Sequence, residues 1–195
     1  MTRLALLRFA AMGAAVALAI AAGPAVRAAD TAGSQPLVIA GQVASTCQMS
    51  PATQGPGNLN VAFSAAGGGA SQLAVNLMVD PSTARTQSVV GVVQFQVLCT
   101  GAHTLKVTSA SGGLVNTTTT TTAGGFSTRA DYSLQAAWAG ASRSLTTSGS
   151  AASLDLSGAD SASGALTVTV TVPSGEGPLV AGAYQDVISI DLSAN

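Results

Sequence analysis

Apolar and polar residues alternate with a period of two along most of this chain, which is the spacing of a β-strand with one buried face. The clearest run is ALTVTVTV at residues 165–172, where Leu and Val share one face and Thr occupies the other. Helical spacing is almost absent. Separated by Gly, Pro, Ser and Asn, the predicted strands are 37–48, 59–64, 72–79, 89–99, 103–109, 131–138, 143–147, 153–156, 165–172 and 184–192.

Short strands at this spacing are typical of an all-β fold, an antiparallel two-sheet β-sandwich of immunoglobulin-like type. The last predicted strand has an apolar face formed by Tyr184, Ile188, Ile190 and Leu192. This face needs a partner, yet the sequence ends three residues after Leu192. We therefore expect an incomplete sandwich whose final strand is missing. A closed barrel is the alternative fold, but it leaves this ending unexplained.

The first 28 residues have the pattern of a secretory signal peptide. Arg3 and Arg8 precede an apolar run at 9–22, and small or apolar residues flank Arg27 before a cleavage site that we place after Ala28. The run is shorter than the about 20 residues of a membrane span, and no later segment approaches that length. We therefore predict export through the periplasm to the cell surface or into the medium, with no membrane span in the mature chain.

The chain has two cysteines, Cys47 and Cys99, and an exported protein meets an oxidising compartment, so we predict one disulfide. Each cysteine shares the phase of the apolar face of its predicted strand, so both sulfur atoms should point inward. Closing a loop of about 50 residues stabilises a fold by about 4 kcal/mol in the chain-entropy account. Because His103 is the single histidine and no CxxC spacing occurs, we predict no metal site.

Charge and motif content exclude two broad classes of function. Removing Arg3, Arg8 and Arg27 from seven Lys and Arg residues leaves four against eight carboxylates, a balance unsuited to nucleic acid. No nucleophile elbow, phosphate loop, dinucleotide fingerprint or calcium loop occurs, so we predict no catalytic residue, no cofactor and no enzyme activity. We interpret His103 as a surface residue, and Tyr132 and Trp138 as core anchors.

Four segments of the chain resemble the spore coat protein U domain family, which includes the subunits of archaic, Csu-like chaperone-usher pili. These segments are GQVASTCQM at 41–49, VQFQVLCTGAHTLKVTSASGG at 93–113, DYSLQAAW at 131–138 and LVAGAYQDVISIDL at 179–192. The resemblance extends over essentially the whole mature chain. The chain departs from the family in its threonine tract, 117–122, and in Ala139, which separates Trp138 from Gly140.

The resemblance implies a domain at 40–195 that lacks its last strand and an extension at 29–39 that supplies this strand to a neighbour. It implies a periplasmic chaperone, an outer-membrane usher, and neighbouring copies or related subunits as partners. The implied function is a structural subunit of a surface pilus or fimbria, assembled by donor-strand exchange and supporting adhesion or biofilm formation. The alternatives are a ligand-binding adhesin and a coat-layer protein with a complete sandwich.

Alternation within the extension identifies candidate donor residues. The residues that share one face are Gly33, Gln35, Leu37 and Ile39, and we predict that Leu37 and Ile39 fill apolar pockets. The acceptor groove is predicted to be edged by the strand that contains Cys47 and by Tyr184, Ile188, Ile190 and Leu192. The other interpretation treats 29–36 as a flexible N-terminus and 37–47 as an ordinary first strand.

Overall fold

The alternating segments form strands that pair in antiparallel sheets. The computed structural model describes residues 38–65, 70–122 and 124–195, and these residues contain strands but no helix. In chain order the strands are β1 (Cys47–Met49), β2 (Thr53–Gln54), β3 (Val61–Ala65), β4 (Ser71–Val75), β5 (Val89–Cys99), β6 (His103–Ser109), β7 (Leu114–Asn116), β8 (Arg129–Ala130), β9 (Ser133–Trp138), β10 (Ala141–Thr146), β11 (Ala152–Gly158), β12 (Ala162–Val172), β13 (Tyr184–Gln185) and β14 (Ile188–Ala194).

The first sheet is built around the two longest strands, β5 and β12, which pair along their full length. Its strand order is β1-β5-β12-β9-β10, and β2 also pairs with β5. The edge formed by β1 and β2 is interrupted at Pro51, which has no N–H to donate, and β2 ends shortly before Pro56. The chain nevertheless keeps following β5, since the N–H of Ser50 donates to Gln96 and the N–H of Gly55 donates to Val92.

The second sheet has the order β11-β6-β14 and faces the first. One apolar core joins the inward residues of both sheets, because each strand turns alternate side chains to the same side. Leu105 and Val107 of β6 and Leu134 of β9 are fully buried at its centre. The all-β, antiparallel sandwich predicted from the sequence is therefore confirmed.

Two smaller pieces extend the layers. The hairpin β3–β4 packs against the core, where Leu73 lies over Gly91 of β5. A Cβ at Gly91 would lie 2.7 Å from Leu73 Cδ1, so a larger residue at this position would require the Leu73 side chain to shift. Strand β7 follows β6 after an interruption at 110–113, and β13 precedes β14 with an interruption at 186–187. β7 and β13 pair with each other, as β6 and β14 do. Strand β8 pairs with the other edge of β7.

The predicted disulfide is confirmed. Cys47 of β1 and Cys99 of β5 are direct partners in the antiparallel register, with their Cα atoms 4.1 Å apart. Cys99 is fully buried and Cys47 is half-buried at the sheet edge, so the bond lies on the inward face as expected. It ties a strand of only three residues to one of the two longest strands of the sheet.

The strand predictions succeed where alternation is long and fail where it is interrupted. The strands predicted at 89–99 and 103–109 have the predicted bounds. The prediction of a strand over 37–48 is wrong for 38–46, which are not in a strand. The strand predicted at 184–192 is divided, because β13 ends at Gln185 and β14 begins at Ile188. No helix in the described ranges is long and apolar enough to cross a membrane.

The disulfide gives the first testable prediction. Its cysteines are 52 residues apart, so replacing both (Cys47→Ala/Cys99→Ala) should lower the free energy of unfolding by about 4 kcal/mol through the larger entropy of the unfolded chain. Urea denaturation of the variant and of the parent, with and without reductant, measures the loss. An unchanged midpoint in both the variant and the reduced parent would contradict the prediction.

Candidate strand-acceptor edge

Strand β14 forms an edge of the second sheet, and its ladder runs to β6 alone. The C=O of Val187 accepts from Ala110 N–H at 2.9 Å, and Asn195 N–H donates to the C=O of Ala102 at 2.8 Å. Successive residues of an antiparallel strand point their backbone groups to opposite sides. The even-numbered residues of β14 therefore point theirs away from β6, toward an edge that has no strand partner in the described part of the chain.

The side chains of the same even-numbered residues of β14 are only partly covered by other described residues. Ile188, Ile190 and Leu192 turn inward and pack against the core, yet each remains half-buried. On the adjacent strand, Leu105 and Val107 are fully buried. Among the described residues, the core is thus fully covered over β6 and only partly covered over β14. We call the combination of half-buried side chains and unpaired backbone groups at Ile188, Ile190 and Leu192 the acceptor edge.

Strand β1, at an edge of the first sheet, lies on the same side of the sandwich as β14. Cα atoms of the two strands approach within 8 Å of each other. Met49 of β1 pairs with the buried Val97, so it has the inward phase, yet it is 37% exposed. A strand hydrogen-bonded to both edges needs about 9.6 Å between them, so admitting one requires the edges to separate.

The four predicted groove residues divide between two strands. Ile188, Ile190 and Leu192 lie together on β14, whereas Tyr184 lies in β13 and pairs with Asn116 of β7. The Tyr184 hydroxyl lies within donating distance of two carbonyl groups, 2.8 Å from the C=O of Val180 and 3.0 Å from the C=O of Ser127. Tyr184 therefore fastens the segment before β14 and is not part of the acceptor edge.

The predicted donor residues lie mostly outside the described residues, which begin at Val38. Gly33, Gln35 and Leu37 belong to this earlier part of the chain. Ile39 is 89% exposed and the neighbouring Val38 is 82% exposed. Both apolar side chains are thus open to solvent.

A hydrogen-bond network fixes the start of β14. Oδ2 of Asp186 accepts from the Ser109 hydroxyl at 2.6 Å and from the Tyr132 hydroxyl at 2.7 Å. Oδ1 accepts from the N–H of Ser111 at 2.9 Å and from that of Val187 at 2.7 Å. Tyr132 and Ser109 are buried, so few other partners compete for these bonds. One carboxylate therefore joins β6, the loop after it and the segment before β9 to the beginning of β14.

The network sets the ionisation of both acidic groups. Burial raises the pKa of Asp186, but hydrogen bonds from Ser109, Tyr132 and backbone N–H groups stabilise the carboxylate, and the net pKa lies below its ordinary value of 3.8. Burial and the neighbouring carboxylate raise the pKa of the Tyr132 hydroxyl, so it remains a neutral donor. The sequence signal for Asp186 was its phase, since it shares the inward parity of Tyr184 and Ile188.

The interpretation of His103 as a surface residue is wrong, because its side chain is only 4% exposed. In β6 it has the inward phase of Leu105, and its ring centroid lies 4.5 Å from that of Trp138. Nδ1 lies 3.1 Å from the C=O of Gly101, to which it can donate. Trp138 and Tyr132 are buried, which confirms them as core anchors.

No family model, curated protein or solved structure matches this chain. In the described ranges, no group of three or more His, Cys, Asp or Glu side chains is placed to hold a metal ion. The candidate site is the acceptor edge, whose chemistry is that of backbone pairing and apolar burial.

The Asp186 network predicts a pH dependence. Because the pKa of Asp186 is lower in the folded chain, its contribution to stability is fully present above the ordinary value of 3.8 and is lost as the pH falls through the folded pKa. Asp186→Asn should cost about 1–3 kcal/mol at neutral pH by leaving buried donors unsatisfied, and should flatten the loss of stability below pH ~4. Thermal melts between pH 2 and pH 7, on the order of one per pH unit, test this.

Asp160→Asn is the matched control for this experiment, because Asp160 is exposed and lies outside the network. Its melting profile should follow that of the parent chain. Identical profiles for the parent and Asp186→Asn would show that the carboxylate does not stabilise the start of β14.

Proposed function

We propose that this protein is a structural subunit of a surface pilus or fimbria, assembled by donor-strand exchange through a chaperone-usher pathway and supporting adhesion or biofilm formation. The observation that carries the proposal is the acceptor edge, at which Ile188, Ile190 and Leu192 combine half-buried side chains with unpaired backbone groups. The resemblance of the sequence to spore coat protein U domains agrees with it.

A strand from another polypeptide would satisfy both needs of this edge. Its backbone would pair with the free groups of β14, and its alternate side chains would cover the three apolar residues. Completing the burial of a half-buried Ile or Leu contributes about 1 kcal/mol for each side chain. The added strand therefore stabilises the subunit while it joins two molecules, which is the requirement for a fibre built by strand exchange.

The proposed donor is the segment 29–39 of a neighbouring subunit. Leu37 and Ile39 have the spacing that places two apolar side chains on one face of a strand. Ile39 and Val38 are exposed, which is unfavourable in an isolated chain and favours burial in a neighbour. The same segment is proposed to follow a signal peptide that is removed on export.

An open edge also explains why a chaperone and an usher would be needed. Unpaired strand edges with apolar side chains are templates for aggregation. A subunit with such an edge needs a temporary strand in the periplasm, and this strand must be exchanged for the final one at the outer membrane. The proposed periplasmic chaperone supplies the first strand and the proposed usher is the site of exchange.

A self-complemented chain tests the proposal. Residues 29–39 are added after Asn195 through a Gly/Ser linker of about 12 residues, which reaches about 40 Å and so lets the segment run either way along β14. The high effective concentration should fill the acceptor edge within one molecule. We expect a monomer with a melting temperature about 10 °C above that of the parent, because a gain of about 3–5 kcal/mol is worth about 2–4 °C per kcal/mol.

Two charged grafts provide the matched control. Leu37→Asp/Ile39→Asp in the added segment should abolish the gain, because each carboxylate would be buried without a partner. Ala32→Asp/Ser34→Asp adds the same charge at outward positions and should retain the gain. If all three grafts melt with the parent chain, the segment is not a donor, and a complete sandwich of the adhesin or coat-layer kind becomes the better interpretation.

A further inference from the structure

The outward face of the second sheet carries a row of alternating charge that ends at the acceptor edge. Asp155 of β11, Lys106 of β6 and Asp191 of β14 lie directly opposite one another in the strand register. All three are exposed. The neighbouring rows contain Ser and Thr alone, namely Ser153, Thr108 and Ser189 on one side and Ser157, Thr104 and Ser193 on the other. Asp191 therefore sets the charge that an added strand would meet.

Asp191 is placed to act on the residue opposite it. Among the described side chains, one ion pair has its charged atoms within 4.0 Å of each other, and it joins Arg129 and Asp131. Lys106 and Asp191 are therefore not in direct ionic contact. Asp191 points its backbone groups toward β6, so an antiparallel strand on its other side would face it as a non-hydrogen-bonded pair. Side chains approach most closely in such pairs, at a Cα separation of about 4.5 Å.

We propose that the acceptor edge selects a partner strand with Lys or Arg at the outward position facing Asp191, between two inward apolar residues. Opposite charges directly across two strands stabilise the pairing and like charges destabilise it. A cation here would extend the row Asp155, Lys106, Asp191 by the next alternating charge. This inference rests on the proposed function and names the chemistry of the preferred partner.

The chain's own proposed donor segment does not offer this cation. No Lys or Arg occurs between Arg27 and Arg85. If Leu37 and Ile39 point inward, the outward residues of the segment are Asp30, Ala32, Ser34, Pro36 and Val38. Four of these are uncharged, and Asp30 lies six and eight positions before Pro36 and Val38, so in either register that places one of these two opposite Asp191 it falls beyond Asn195 and away from Asp191. The preferred occupant is therefore an extended segment of a different protein that carries this cation, whereas segment 29–39 of a second copy pairs without this contribution.

A charge-exchange series in the self-complemented chain tests this inference. Pro36 and Val38 of the added segment are both replaced by Lys, by Gln or by Glu, so that one substituted residue faces Asp191 in either antiparallel register that seats Leu37 and Ile39 on β14. Each graft is made with Asp191 and with Asp191→Lys. With Asp191, the Lys graft should melt about 1–4 °C above the Gln graft and the Glu graft about as far below it.

With Asp191→Lys, the order of the Lys and Glu grafts should reverse, which separates charge pairing from strand propensity. The spread should narrow in about 1 M salt, where the Debye length is about 3 Å. If the three grafts raise the melting temperature equally, or keep one order in both backgrounds, Asp191 does not select the partner, and the proposed function stands. If no graft raises it above the parent chain, the proposed function fails and this inference fails with it.

Discussion

The apolar layer between the two sheets is the constraint on which the rest of the structure depends. A two-sheet core is stable only where strands cover both of its faces, and here the cover is continuous over β6 and incomplete over β14. The same alternation that buries Leu105 and Val107 brings Ile188, Ile190 and Leu192 to the rim. The acceptor edge is thus the place where, in the described part of the chain, the cover of the core becomes partial.

The sequence predicts the centre of this fold better than its rim. Long alternating segments such as 89–99 form strands with the predicted bounds, because each has partners on both sides. The segment 38–46 has apolar residues in phase but no strand partner, and it is not a strand. Strands β2 and β8 have two residues each, too few to show a period, and exist only because tertiary contacts place them beside β5 and β7.

The candidate site was predictable in part for the same reason. Alternation was sufficient to group Ile188, Ile190 and Leu192. It also placed Tyr184 with them, which is wrong, because Asp186 divides the segment. A carboxylate at an inward position must find hydrogen-bond donors, and its donors come from Ser109, Tyr132 and a loop that are distant in sequence. Such a network depends on the tertiary fold, so the alternation of apolar and polar residues along the sequence does not predict it.

The disulfide makes the attachment of β1 to its sheet different in kind from the attachment of β14 to its sheet. Strand β1 is tied to β5 by a covalent bond, whereas β14 is held to β6 by backbone hydrogen bonds and at its start by one carboxylate. A separation of β1 from β14 can therefore break every bond that holds β14, whereas β1 stays joined to β5 for as long as the disulfide is intact.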